Sequence, residues 1–347
     1  MLAWFVVVYN IGGAYGYEVP TRERSGRPIL LWHPMKTGGT AICVLSKSYE
    51  FESWHLEKFG FSFGLNCKMS GKEEKMYNDD PELKVHMKPT TRGYQGFKGP
   101  VDAEGIKLLR KTSGRGLIAF EPSYPIHSFG DPDLYGVLTN EDIWEGYFHA
   151  ITIRHPVERA FSHLFFRKSF LKCTDEQSLD DFFLDMLGGN CGEICEQNTC
   201  DHIRFIIGRF YLKHLSPKPW NLRAAVENMM RRIDVVLPIG ERPFETAHMA
   251  KHFFGWDGVE DVGVERIGSY DHETAHQESF PKMYDRLMKL ETEDLELYDI
   301  AMEKSRRLCE TVPGCEWNAD DAETADRRKE LWDKWVEELD LDENNTN

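Results

Sequence analysis

Lys36, Thr37, Gly38, Gly39 and Thr40 stand in one unbroken run, a few residues after the apolar stretch Ile29-Leu30-Leu31-Trp32. These residue types are suited to holding an anion. Glycines let backbone N–H groups turn inward, and a helix starting at Thr40 adds the partial positive charge of its N-terminus. Lys36 supplies a full charge, and the two threonines supply hydroxyl donors. The run is not a Walker A loop, in which the lysine follows the glycines; here it precedes them. An ordinary strand–helix turn with a surface lysine would use the same residues, so a functional reading needs a second anion-binding element.

That second element is Arg154-His-Pro-Val-Glu-Arg-Ala-Phe-Ser162. Ala150 to Ile153 reads as a strand, and Pro156 suits the first turn of a helix. Val157, Ala160, Phe161, Leu164 and Phe165 then fall on one helical stripe. Arg154 therefore sits at a strand's C-terminal end, and Ser162 faces outward nearly two turns into the helix. Arginine's planar fork matches phosphate oxygens in bidentate fashion, and the serine adds a hydroxyl donor.

Together the two motifs resemble those of the sulfotransferases that use PAPS (3′-phosphoadenosine 5′-phosphosulfate). The similarity is greatest to the Golgi carbohydrate branch typified by heparan sulfate 2-O-sulfotransferase. Two further stretches resemble the same family: IGERPFETAHMAKHFFGW, a late strand–helix unit, and DLELYDIAMEKSRRL, a helix with a D-x-x-L-Y signature. The resemblance covers about residues 28 to 308 and is weak in the region that would meet an acceptor.

The resemblance implies a P-loop-like three-layer α/β fold, with a central, mainly parallel sheet flanked by helices. It implies that Lys36, Thr37, Gly38, Gly39 and Thr40 bind the 5′-phosphosulfate, with Lys36 at the bridging oxygen. It gives Arg154 and Ser162 the 3′-phosphate, and brings Arg266 to Ser269 near the adenine or 3′-phosphate end. The reaction implied moves a sulfuryl group from PAPS to a hydroxyl or amine of a carbohydrate acceptor and leaves PAP (3′,5′-adenosine diphosphate). No metal is required, and no metal-ligand spacing is present. Acceptor deprotonation calls for a general base. Members of the family use histidine or glutamate near the end of a middle strand; here that stretch is AFEPSYPIHS, which offers Glu121 and His127. His33 and His149 read as packing or hydrogen-bonding residues. His155 stands where the family has an acidic or polar residue. Arg159 either aids the 3′-phosphate or pairs with the neighbours of Glu158. A non-catalytic nucleotide- or glycan-binding descendant stays open as an alternative. A P-loop kinase is disfavoured by the glycine–lysine order.

The elements that must position these residues are legible in outline. Strands are expected at Ile29–Trp32, Gly116–Phe120, Ala150–Ile153 and Val235–Ile239. Helices are expected at Thr40–Ser48, from Asp102 to Lys111, after Pro156, from Ser178, and at Thr199–Phe210 and Asn221–Arg232. Further helices are expected at Phe244–Phe254, Phe280–Lys289 and Thr292–Leu308. Alternating strands and helices argue an α/β domain with a mainly parallel sheet. Ligands of such sheets bind beyond the carboxyl ends of the strands, so Lys36, Glu121 and Arg154 are expected to share one crevice. Residues 25–315 read as one domain. The stretch Gly60–Pro100 has no clear period and reads as a region flanking the acceptor cleft.

The chain has 347 residues, 41% hydrophobic content and a formal net charge of −16. That charge argues against a nucleic-acid partner and mildly against a long polyanion. Residues 1–24 read as a signal peptide or signal anchor plus linker, or as a buried first strand at Trp4–Tyr9. Residues 316–347 read as an acidic amphipathic tail, either a docked helix or a partner contact. The eight cysteines make no C-x-x-C pair. An even count with short-loop spacings suits disulfides in a secretory compartment, and Cys309–Cys315 is the pair expected. Cys43 is expected to be a core thiol. With the sequon Asn344-Asn345-Thr346, these signals point to a Golgi membrane or lumenal glycoprotein.

Overall fold

Strands that read as nearly unbroken apolar runs have no face to spare for water, and the sheet they build is covered on both sides. The computed structural model describes residues 24, 26–34, 37–38, 42–43, 46, 49–50, 75, 79–84, 103–113, 116–120, 140–170, 179–188, 211–212, 222–257, 276–318 and 320–345. Within them β1 (Ile29–Trp32), β2 (Leu117–Phe120), β3 (Phe148–Thr152) and β4 (Val235–Leu237) form one sheet in the order β2-β1-β3-β4. All neighbouring pairs are parallel, with Trp32 level with both Phe120 and Ile151, and Thr152 level with Leu237. The chain is therefore α/β with a wholly parallel sheet.

The helices are α1 (Pro81–Lys84), α2 (Ala103–Ser113), α3 (Glu141–Gly146), α4 (Pro156–Phe170), α5 (Leu179–Gly188), α6 (Leu222–Arg232) and α7 (Pro243–Phe254). They continue with α8 (His276–Ser279), α9 (Pro281–Leu290), α10 (Thr292–Thr311) and α11 (Ala322–Asn345). Side chains alternate across a strand, and the core divides accordingly. Leu30, Trp32, Ile151 and Val236 meet α2, α3, α6 and the first half of α10. Ile29, Leu31, Phe148, Ala150, Val235 and Leu237 meet Ile42, Cys43, α7 and the last turns of α10. Helices thus cover both faces, an arrangement compatible with three layers. The stripe expected on α4 is buried, but it packs on α9 through Met283 and Leu287.

The buried histidine of β3 is satisfied internally. Trp32 Nε1 donates to His149 Nδ1 at 3.2 Å, so His149 Nε2 carries the proton and donates to the Ile143 carbonyl at 3.1 Å. Trp144 stacks on the imidazole with ring centroids 4.1 Å apart.

Several expected boundaries shift. β3 runs from Phe148 to Thr152, which leaves Arg154 two residues past its end. β4 stops at Leu237 instead of Ile239. Pro238 has no N–H to give the ladder, and Arg242 N closes a turn onto Pro238 O at 2.8 Å. Helix α3 was not expected; Asn140 caps it by accepting from Ile143 N. The tail is a docked helix: Trp332 and Trp335 of α11 are buried with Ile300 of α10. Arg327 and Arg328 donate to Asp299, and Arg328 also donates to Asp320 at 2.7 Å.

Cys309 and Cys315 form the expected disulfide. Cys43 corrects an expectation: it is buried in the core, yet it is disulfide-bonded rather than a free thiol. Its apolar surroundings disguised it, because a half-cystine packs as well among side chains as a thiol does. Among the described residues no helix is long and apolar enough to cross a membrane. The expected leader, the helix at 199–210 and most of 60–100 lie outside the described residues.

Candidate functional site

The strand order defines one special point. The chain leaves β1 toward β2 on one side and leaves β3 toward β4 on the other. The C-terminal ends of β1 and β3 are adjacent while their connections part, the place at which open parallel sheets bind their ligands. The residues that follow these two strands are those singled out by the sequence.

From β1, the loop crosses toward β3. Thr37 Oγ1 donates to Pro34 O at 2.6 Å, which uses its single proton. Thr152 Oγ1, 2.7 Å away, is therefore the donor in the bond between the two threonines. Both residues are buried. Thr37 thus fastens the loop across the switch point with its hydroxyl. Gly38 follows with φ +90°, a left-handed conformation, and a Cβ there would lie 3.0 Å from Ile239 Cγ2. Only glycine suits such a position without strain. The loop after β1 therefore abuts the loop after β4.

From β3, the turn Ile153–His155 leads into α4. Arg154 is half-buried, and its side chain lies across Gly240. The backbone of the turn is held at each step. Ile153 N donates to Leu237 O at 3.1 Å. Arg154 N donates to Tyr211 Oη at 2.9 Å, and the same phenol donates back to Arg154 O at 2.6 Å. His155 N donates to Glu241 Oε1 at 2.8 Å.

Glu241 belongs to the IGER stretch. Its Oε2 is shut off from solvent and has no hydrogen-bond partner among the described residues. Burial pushes its carboxyl up to about 7, against the pull of the His155 N–H and the Arg154 charge. His155 packs edge-on against Tyr298, ring centroids 5.3 Å apart, and burial pulls its imidazole below the ordinary histidine range. That direction favours the neutral imidazole.

Beneath the turn lies a buried polar cluster. Asp294 accepts from Tyr211 N at 2.6 Å and from Leu212 N at 3.1 Å. Burial, with Glu291 close by, pushes the Asp294 carboxyl well above the usual carboxylate range. Arg159 is fully buried and pairs with Glu291 at 3.7 Å. Of the two roles open to Arg159, the structure supplies the ion pair.

Ser162 is half-buried on α4, six residues after Pro156, or roughly 9 Å along the helix axis. Lys36, Gly39, Thr40, Glu121 and His127 lie outside the described residues, as do Arg266 to Ser269. Among expected site residues, Thr37 and Gly38 from one loop and Arg154 from another thus flank the same end of the sheet.

Sequence reasoning missed Thr152, Tyr211 and the work done by Glu241 and Asp294. The last two lie within the IGER and D-x-x-L-Y stretches, so a signal existed for them. Tyr211 carried none. Compared with known proteins, the chain matches no family model, no curated protein and no solved structure.

Proposed function

We propose that the chain is a PAPS-dependent sulfotransferase of P-loop-like fold, moving a sulfuryl group to a hydroxyl or amine of a carbohydrate acceptor and releasing PAP. The observation that carries this reading is the switch point at the ends of β1 and β3. The glycine loop and the Arg154 turn, far apart in sequence, flank it and are joined across it by the Thr37–Thr152 bond. Two anion-binding elements at one switch point fit a ligand with phosphate groups at both ends of a nucleoside. In this reading Arg154, with Ser162, takes the 3′-phosphate. Gly38, with Lys36, Gly39 and Thr40, takes the 5′-phosphosulfate, and Thr37 shapes that loop. Sulfuryl transfer needs in-line placement and neutralisation of the leaving phosphate, which is the task assigned to Lys36. Glu121 or His127 takes the acceptor's proton. The disulfides of Cys43 and of Cys309–Cys315 favour an oxidising secretory compartment such as the Golgi lumen.

Calorimetric titration of PAP, with ATP and GTP as controls, tests the reading on wild type and Arg154→Ala. PAP binding that the substitution weakens several-fold is the expected result. No PAP binding, or a preference for ATP, would overturn it.

A further inference from the structure

Arg154 lies two residues beyond the end of β3. β4 ends at Leu237, and the last sheet-like bond from this side is Ile153 N to Leu237 O. The N–H and C=O of the next residue, half-buried Arg154, need partners other than the strand ladder. One side chain satisfies both. The Tyr211 hydroxyl accepts from Arg154 N at 2.9 Å and donates to Arg154 O at 2.6 Å.

We infer that Tyr211 is a positioning residue for Arg154, fixing the arginine's backbone so that its guanidinium discriminates for a second phosphate on the nucleotide. This rests on the proposed reading of Arg154 as the 3′-phosphate residue.

Three features of the fold support it. First, Tyr211 is itself anchored. Its own N–H and that of Leu212 are gripped by the two oxygens of Asp294, in the first turn of α10. A twenty-residue helix packed on the sheet is a rigid base for such a grip. Second, the phenol keeps its proton. Burial pushes it above the ordinary tyrosine range, so it stays both donor and acceptor across the working pH range. Third, the next residue along the turn is held independently, His155 N by Glu241. Tyr211 and Glu241 thus bracket the turn from two different segments. A long side chain amplifies small errors at its root: a backbone tilt of 10–20° moves the guanidinium by an amount that matters for bidentate recognition.

A purely structural tyrosine and a positioning tyrosine are separable by ligand choice. PAP and 5′-AMP differ in the 3′-phosphate, so their affinity ratio reads the 3′-phosphate contact that Arg154 and Ser162 make, and the Arg154→Ala background isolates the arginine's share. Calorimetric titration of both ligands would be run on wild type, Tyr211→Phe, Arg154→Ala and the double variant. Tyr211→Phe is expected to weaken PAP roughly tenfold, about 1.4 kcal/mol, and to leave 5′-AMP unchanged. In the double variant it should add nothing to Arg154→Ala, the signature of two residues acting through one contact. Equal loss for both ligands, additive losses, or no loss would each overturn the inference while leaving the cofactor reading intact. A wild type that binds PAP no better than 5′-AMP would instead sink the reading of Arg154, and this inference with it. If Tyr211→Phe does not fold, Asp294→Asn keeps one acceptor oxygen for the Tyr211 segment. It should show the same selective loss of PAP affinity, and an unselective loss would count against the inference.

Discussion

Gly38 is the residue at which loop geometry and packing make the same demand. Its φ of +90° disfavours any side chain, and Ile239 Cγ2 occupies the place a Cβ would press on. Gly38→Ala should cost about 1–2 kcal/mol from the left-handed backbone alone, with Ile239 forced to shift as well. Urea unfolding measures that cost, and PAP titration should show a parallel loss of affinity. Glu241 gives a second residue-scale prediction, through pH. Its folded pKa of about 7 lies above the ordinary 4.5, so the folded state binds the proton more tightly than the unfolded state. The resulting stabilisation, about 3 kcal/mol at most, is complete below pH 4.5 and lost as pH rises through 7. Glu241→Gln keeps an oxygen for His155 N but cannot titrate. Unfolding free energies measured from pH 5 to 8 should show wild type losing stability relative to the variant as pH rises. At this scale the sequence named Gly38, Arg154 and Ser162 by type and spacing. It could not name Tyr211, because a tyrosine that serves two backbone groups of a residue far away in the chain leaves no local pattern.

Elements were more legible than residues wherever periodicity ran long enough. The stripe from Val157 to Phe165 announced α4, and the apolar run Ile29–Trp32 announced β1. Boundaries were less legible. Pro238 ends β4 two residues short of the expected Ile239, whereas Pro156 opens α4 where expected. Helix α3 is short, and its one signal, Asn140 before two acids, is common in loops too. The tail posed a different problem, since its amphipathic pattern fits a docked helix and a partner surface equally well. Docking on α10 decides it. Trp332 is buried against that helix, and Arg307 lies over its ring at 5.1 Å from the centroid. Trp332→Ala should therefore cost roughly 3–5 kcal/mol, seen as a lowered Tm. Replacement of exposed Lys334 on the same helix should leave Tm nearly unchanged.

Across the whole molecule α10 is the common strut. Its first turn holds the Tyr211 segment through Asp294, and its middle reaches β4 through Ser305 Oγ, which donates to Val236 O at 3.0 Å. Lys304 Nζ donates to Met230 O at 2.8 Å, tying the same helix to the end of α6. The Cys309–Cys315 disulfide closes a short loop at the far end. For so small a loop the unfolded-state entropy model gives roughly 2 kcal/mol. Replacing both cysteines by alanine should lower stability by about that amount, measured by urea unfolding without reductant. The loss should come with little change in nucleotide affinity, because Asp294 and Tyr211 sit at the opposite end of the helix. The strand order carries a further consequence, for folding in time. β1 lies between β2 and β3, yet Ile29 is translated long before Leu117 and Phe148, its partners on either side. During synthesis an inner, wholly apolar strand of the sheet waits with both edges open. Parallel pairing over such separations is slow and exposed to aggregation. Recovery of native protein should therefore depend less on the stability of the finished fold than on how well that one strand is shielded until its neighbours arrive.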